Sequence, residues 1–161
     1  MLSKKHGHHH FDADDFYWAP TDPPYQQKRT PPDRQTLLAR ALGEADSWVL
    51  SGSLCGWGDP FISQFELVVF LLVPVKERLA RLRAREIIRY GHEAIAPGGR
   101  LYKTHVEFLD WAESYDDGGL NMRSRALHEW WIQRLPFSVL RLDGHKQVDM
   151  LLREIEAAAT M

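Results

Sequence analysis

Short apolar runs alternate with helical apolar stripes along the chain. The longest run, Leu67 to Val73, predicts a strand buried on both faces, as in parallel sheets. Pro74 ends this run and opens a predicted helix whose apolar face carries Val75, Leu79 and Leu82. Further strands are predicted at residues 8–13, 48–50 and 138–142, and further helices at 31–43, 102–112, 121–133 and 148–155. Strands that alternate with helices indicate parallel βαβ units, and therefore an α/β fold.

An acidic segment follows the first predicted strand, where a parallel sheet would bind its ligands. Asp12 and Asp14 are two residues apart, so on a strand both carboxylates point to the same side. Such a pair can hold Mg²⁺ through water and orient a substrate hydroxyl. The alternative is a solvated acidic turn or a helix N-cap, because Asp is favoured at both.

Arginines form a stripe on the helix predicted after Pro74. Arg81, Arg85 and Arg89 are spaced i, i+4 and i+8, so they lie on one helix face. Like charges on one face repel unless Glu77, Glu86 or a bound anion compensates them. A phosphate group is a good candidate because guanidinium forks match its oxygens. The alternative is a solvated helix face.

Three loops carry further candidate residues. Arg123 and Arg125 follow an Asp-Asp-Gly-Gly segment at 116–119, which is suited to a mobile lid over phosphates or to an ordinary helix connection. Lys28 and Arg29 lie in an irregular, proline-rich excursion at 19–32 and can meet an anionic substrate. Residues 51–58 form a Gly/Ser loop that can approach a ligand closely.

Composition narrows the class of protein. The 161 residues are 44% apolar and 26% charged, which predicts one globular domain. The formal net charge of −2 gives no footprint for nucleic acid or a membrane surface. The chain has a single cysteine, no membrane-length apolar run and no signal-peptide core, so we expect a cytoplasmic protein. A metal site in the histidine run at 6–10 is a weaker alternative because no second ligand cluster has recognised spacing.

Taken in order, these features resemble the adenylate-kinase-like branch of P-loop kinases, which includes the gluconate and shikimate kinases. Residues 11–18, Phe-Asp-Ala-Asp-Asp-Phe-Tyr-Trp, resemble the D-x-D motif that follows strand two of those enzymes. Residues 67–89 resemble the passage from strand four into the lid, and residues 116–125 resemble the returning lid arm. Residues 142–144, Leu-Asp-Gly, fall where the last strand of the family turns near the adenine.

The resemblance implies a three-layer fold, a parallel sheet flanked by helices, in a single domain over residues 1–161 with a helical lid at about 85–125. It implies ATP-dependent phosphoryl transfer to a small molecule or a nucleotide, with Mg²⁺ as cofactor. The implied catalytic residues are Asp12, which also binds the metal, Asp14, Arg123 and Arg125. The implied substrate-binding residues are Asp15, Lys28, Arg29, Gly52 and Ser53, and the implied phosphate- and nucleotide-binding residues are Arg81, Arg85, Arg89, Asp143 and Gly144.

The chain departs from the family at its start. Leu2 to Lys5 predict only the end of the first family helix, and Gly-x-x-x-x-Gly-Lys-Ser/Thr occurs nowhere in the sequence. That loop cradles the phosphates, so we expect this chain alone to be inactive. The missing first strand is central in the family sheet, which predicts an exposed sheet edge, marginal stability or self-association. The alternative function is a non-catalytic module that binds a nucleotide or a protein.

Overall fold

The computed structural model describes residues 2–159, of which about half are helical and few lie in strands. The helices are α1 (Leu2–His6), α2 (Ala13–Tyr17), α3 (Pro31–Gly43), α4 (Val75–Tyr90), α5 (His92–Ile95), α6 (Tyr102–Glu113), α7 (Arg125–Ile132) and α8 (Val148–Ala159). The strands are β1 (His9–Asp12), β2 (Trp48–Ser51), β3 (Val69–Leu72) and β4 (Leu140–Asp143), and a 3₁₀ helix spans Asp59–Gln64. The chain divides into two compact units, one ending at Glu66 and the other beginning at Leu67.

In the first unit, β1 and β2 form a two-stranded parallel sheet. His9 is in register with Trp48, and Asp12 is in register with Ser51. Helix α3 connects the excursion to β2. It begins after Thr30, whose hydroxyl accepts a hydrogen bond from the Asp33 N–H, and two prolines occupy its first turn. Its apolar face is buried at Leu38 and Leu42.

In the second unit, β3 and β4 form the other two-stranded parallel sheet, in which Leu72 is in register with Asp143. Helix α4 packs against α6, and Leu79, Leu109 and Ala112 form the buried contact between them. Within residues 2–159, no helix is both long enough and apolar enough to cross a membrane.

The predicted three-layer fold with one parallel sheet flanked by helices is wrong. The four strands form two separate sheets of two strands each. The predicted strand at 67–73 is only β3, and its Leu71 is 46% exposed. A parallel strand is buried on both faces only where strands flank it and helices cover it, and a two-stranded sheet does not provide that cover.

Local predictions fared better than the sheet. The excursion after α2 is irregular as predicted and is fastened by hydrogen bonds from the Ala19 N–H to the Gln27 carbonyl (2.8 Å) and from the Arg29 N–H to the Tyr17 carbonyl (2.9 Å). The expectation that Asp12 and Asp14 share one strand face is wrong, because β1 ends at Asp12 and Asp14 lies in α2. The helix predicted at 121–133 is shorter, and Arg123 lies before it.

Candidate functional site

The carboxyl ends of β1 and β2 meet at one edge of the sheet in the first unit. Asp12 and Ser51 are in register there, and Gly52 continues from β2 into the Gly/Ser loop. Gly52 has φ +108°, and a Cβ added to it would lie 2.7 Å from the Cβ of Ala13. The loop therefore runs directly against the start of α2. We call Asp12, Ser51, Gly52 and Ser53 the acidic edge.

The Asp12 carboxylate has a structural role at this edge. Its Oδ1 accepts a hydrogen bond from the Asp14 N–H at 3.0 Å, which caps α2. The N-cap alternative is thus confirmed for Asp12, and a carboxylate can cap a helix while its other oxygen meets a ligand. The Ser53 carbonyl accepts a hydrogen bond from the Trp57 indole at 3.2 Å, so its backbone also serves the fold.

Histidines of the N-terminal run bind serines. The His8 Nδ1 lies 2.8 Å from the Ser47 hydroxyl oxygen, and the His10 Nε2 lies 3.0 Å from that of Ser51. Both contacts join segments that pair in the sheet. In the described part of the chain, no three His, Cys, Asp or Glu side chains are grouped to hold a metal ion.

Arg29 closes the carbonyl end of α2. Its Nη1 donates to the carbonyls of Asp15 (2.8 Å), Phe16 (3.2 Å) and Trp18. Lys28 is its neighbour, with Nζ 5.7 Å from the centre of the Trp18 ring. Both of these predicted substrate-binding residues therefore contact the segment that follows Asp12. Lys28 faces its aromatic rings, and Arg29 donates to its carbonyl groups.

Sequence reasoning missed Arg34, which is only 8% exposed. Its guanidinium carbon lies 3.6 Å from the centre of the Tyr17 ring, and its Nε is buried without a hydrogen-bond partner. The contact holds α3 against α2. The i, i+4 spacing from the buried Leu38 was the signal that this arginine lies on the inner face of its helix.

In the second unit, the turn after β4 contacts α4. The Arg81 Nη2 donates to the Gly144 carbonyl at 3.0 Å and pairs with Glu77. The Asp143 Oδ1 accepts from the His145 N–H at 2.9 Å. Three predicted nucleotide-binding residues, Arg81, Asp143 and Gly144, are thus neighbours.

Glu77 and His145 set the charge of this cluster; the sequence predicted Glu77 as a possible partner of the arginine stripe and missed His145. The hydrogen bond between them lowers the pKa of the Glu77 carboxyl and raises the pKa of the His145 ring. Glu77 also neutralises Arg81, and the i, i+4 spacing of the two residues was the available signal. We call Glu77, Arg81, Asp143, Gly144 and His145 the α4–β4 cluster.

The other predicted arginines do not join this cluster. Arg85 is exposed, as the solvated-face alternative expects. The Arg89 Nη1 lies 4.0 Å from the Oε1 of the buried Glu86, which in turn has its Oε2 3.7 Å from the His105 Nδ1. Arg81 and Arg89 therefore pair with different glutamates, and Arg85 is exposed between them.

Arg123 and Arg125 lie beside Tyr115 and His128. The Arg125 N–H donates to the Tyr115 carbonyl at 2.8 Å, and the Tyr115 hydroxyl lies 2.7 Å from the His128 Nδ1. Burial first, and then the charge of Arg123, lower the pKa of His128 to about 4, so this imidazole is neutral at pH 7.

Arg78, also not predicted, anchors the segment that precedes α7. Its guanidinium donates to the Val73 carbonyl (2.9 Å), the Ala112 carbonyl (3.3 Å) and the Asp116 Oδ2 (2.8 Å). It also lies 4.9 Å from the centre of the Tyr115 ring. This arginine fixes the first acid of the Asp-Asp-Gly-Gly segment to α4.

Comparison with known proteins gives one family. The chain is 44% identical over 155 residues to the uncharacterized protein YqaC of Bacillus subtilis (strain 168). The match covers 94% of this chain and 85% of YqaC. The chain therefore belongs to the YqaC family. No family profile and no solved structure matches it.

Proposed function

We propose that this member of the YqaC family takes part in ATP-dependent phosphoryl transfer to a small molecule or a nucleotide. One observation carries the proposal. At the acidic edge, a carboxylate and a Gly/Ser loop end two neighbouring parallel strands, with Asp12 in register with Ser51. Ligands of parallel α/β proteins bind beyond such strand ends. The resemblance of residues 11–18 to a substrate-binding D-x-D motif supports the same reading.

In this proposal, Asp12 accepts a hydrogen bond from the hydroxyl group that attacks the phosphorus. A carboxylate in that role orients the hydroxyl and receives its proton as the new O–P bond forms. The loop residues Gly52 and Ser53 bound the space in which the acceptor lies. Asp14 and Asp15, in the first turns of α2, add negative charge near that space.

Mg²⁺ fits the acidic edge only in part. The acidic edge offers one carboxylate, that of Asp12, and Mg²⁺ in such sites is normally held by one or two carboxylates together with substrate phosphates. Asp12 is the residue that would contact it. When bound, the ion would neutralise charge on the phosphate oxygens.

In the second unit, considered by itself, guanidinium groups are candidates for binding a phosphate group. Arg81 is the candidate from the stripe because it belongs to the α4–β4 cluster, where its Nη2 donates to the Gly144 carbonyl. A phosphate has to compete with Glu77 for this guanidinium, or bind its remaining N–H groups. Arg123 is the proposed contributor from the segment before α7.

A second candidate is a module that binds a nucleotide without transferring phosphate. The observation that favours it is the lack of Gly-x-x-x-x-Gly-Lys-Ser/Thr in these 161 residues. The backbone N–H groups and the lysine of that loop supply much of the electrostatic stabilisation in phosphoryl transfer. Binding demands less charge stabilisation than transfer does.

Calorimetric titration of the whole chain with ATP, with and without Mg²⁺, separates these functions. The test variant is Asp12→Asn, because Asn caps helices as well as Asp does and the change removes only the charge. The matched control is Asp46→Asn, at an exposed loop position. We expect Mg²⁺-dependent binding that D12N weakens about tenfold, the effect of one lost charge-assisted contact, and that D46N leaves unchanged.

Turnover decides between the two candidates. ADP release that depends on an added acceptor supports phosphoryl transfer, whereas tight ATP binding without ADP release supports the binding module. A folded chain that binds no ATP contradicts both.

A further inference from the structure

A shallow, open surface cavity of about 400 Å³ lies on the first unit, lined by Arg29 and by the exposed residues Asp33, Thr36 and Leu37. We infer that this cavity binds a small hydroxylated anion, a molecule with a carboxylate or phosphate group and a hydroxyl group a few ångströms away. This binding does not rest on the proposed function, in which the phosphate acceptor lies beside Asp12 at the acidic edge.

Arg29 supplies the anion-binding group. Its Nη1 is held by three carbonyls of the α2 segment, which fixes the plane of the guanidinium. Within residues 2–159, Arg29 makes its hydrogen bonds through Nη1, and its Nε and Nη2 have no such bond. A fixed guanidinium loses little entropy when it binds, and its open N–H groups suit the two oxygens of a carboxylate or phosphate.

Asp33 supplies a negatively charged acceptor for a hydroxyl group of the ligand. Its Oδ2 accepts a hydrogen bond from the Thr30 hydroxyl at 2.6 Å, which holds the carboxylate at the start of α3. Arg29 and Asp33 line one cavity, yet in the described chain they form no ion pair within 4.0 Å. A ligand with an acceptor end for Arg29 and a donor end for Asp33 satisfies both charges, and an anion without a hydroxyl satisfies only one.

Thr36 and Leu37 define the rest of the ligand. The Thr36 hydroxyl donates its one hydrogen to the Pro32 carbonyl at 2.9 Å. Its oxygen can therefore accept a hydrogen bond from a ligand but cannot donate one. Leu37 is 40% exposed and offers an apolar wall to carbon–hydrogen groups. A short hydroxylated carbon chain with an acidic end matches this lining.

The test is an NMR titration of the whole chain, without ATP, with four probes. D-Glycerate and ribose 5-phosphate are the carboxylate and phosphate probes, glycerol is the neutral analogue, and propionate is the anion without hydroxyls. We expect glycerate or ribose 5-phosphate to shift the amide signals around Arg29 and Asp33, with glycerate at least about tenfold tighter than glycerol, as one charge-assisted contact predicts. The two anionic probes report whether carboxylate or phosphate is preferred.

Two variants and one control assign the binding to the cavity. Arg29→Lys keeps the charge but loses the fork, and we expect it to weaken binding of both anions about tenfold. Asp33→Asn keeps an oxygen for Thr30, and we expect it to reduce the ratio of glycerate to propionate affinity without weakening propionate. Arg40→Lys is the matched control on α3, where the arginine pairs with Glu44 instead.

Three results overturn the inference: glycerol binding as tightly as glycerate, folded R29K retaining the original affinities, or R40K weakening binding as much as R29K. If R29K does not fold, the affinity ratio in D33N decides. Arg29-dependent glycerate binding in a chain that never transfers phosphate leaves this inference standing and contradicts the proposed reaction. Phosphoryl transfer that both variants leave unchanged supports the proposed reaction and shows that its acceptor does not bind in this cavity.

Discussion

The substitution Gly52→Ala tests whether the Gly/Ser loop is forced against the start of α2. Gly52 has φ +108°, and the added Cβ would lie 2.7 Å from the Cβ and 3.4 Å from the backbone N of Ala13. Ala13 is 1% exposed and has little room to move away. The contact is with a short, buried side chain, so the strain cannot be relieved by rotation of a flexible group.

The expected cost has two parts. A non-glycine residue at positive φ costs roughly 1–2 kcal/mol, and overpacking of a tight contact costs about 1–3 kcal/mol. Together they predict a loss of about 2–5 kcal/mol in the free energy of unfolding of the first unit. With a urea slope of about 2 kcal/mol per molar, the unfolding midpoint falls by roughly 1–2.5 M.

Urea unfolding followed by tryptophan fluorescence and circular dichroism measures this shift. The control is Gly43→Ala at the end of α3, where an added Cβ meets no atom within 4 Å. That change is expected to be neutral or to stabilise by up to about 1 kcal/mol. Equal midpoints for G52A and the original chain, or equal losses in G52A and G43A, would refute the close contact at the acidic edge.

Three further predictions concern the second unit. Ser124→Ala removes a fully buried hydroxyl that donates to the Gly119 carbonyl (2.7 Å) and accepts from the Leu127 N–H (3.0 Å). We expect Ser124→Ala to lower the free energy of unfolding by about 1–3 kcal/mol in thermal unfolding. The control Ser138→Ala, at an exposed position, should leave this free energy unchanged. His128 has a pKa of about 4 in the fold against an ordinary 6.5, so the unfolded chain takes up its proton first and stability falls as the pH drops from 6.5 to 4. A His128→Gln variant should flatten that part of the stability curve, and an unchanged curve would contradict the shift. Glu77→Gln removes the carboxylate whose hydrogen bond and charge raise the pKa of His145, so an NMR titration should find that pKa lowered towards 6.5.

The helices were the most predictable part of the fold because their signals are local. The apolar stripe that buries Leu38 and Leu42, and the proline that precedes α4, can be read from neighbouring residues. The sheet was not predictable in this way. A run such as Leu67 to Val73 predicts a strand, but the number of strands beside it depends on contacts between distant segments.

The candidate site was predicted in part, for the same reason. The position of Asp12 beside the loop that begins at Gly52 follows from parallel strands, whose carboxyl ends share an edge. The hydrogen bonds from Arg29 to the carbonyls at the end of α2 depend on how the excursion folds back towards that helix. No local sequence pattern predicts this path of the chain. Neither Arg78 nor His128 carried a motif, so only the structure revealed their partners.

The two parallel sheets differ in the number of residues that separate their paired strands along the chain. In the first unit, His9 pairs with Trp48 across about 40 residues, and in the second, Val69 pairs with Leu140 across about 70. The entropy of loop closure grows with the logarithm of loop length, so the second sheet costs roughly 0.5 kcal/mol more to close. The penalty is small because it depends only on the logarithm of loop length. The contact between α4 and α6, which lie between β3 and β4, spans a shorter separation and shortens the effective loop. We therefore expect the α4–α6 contact to form before β4 joins β3.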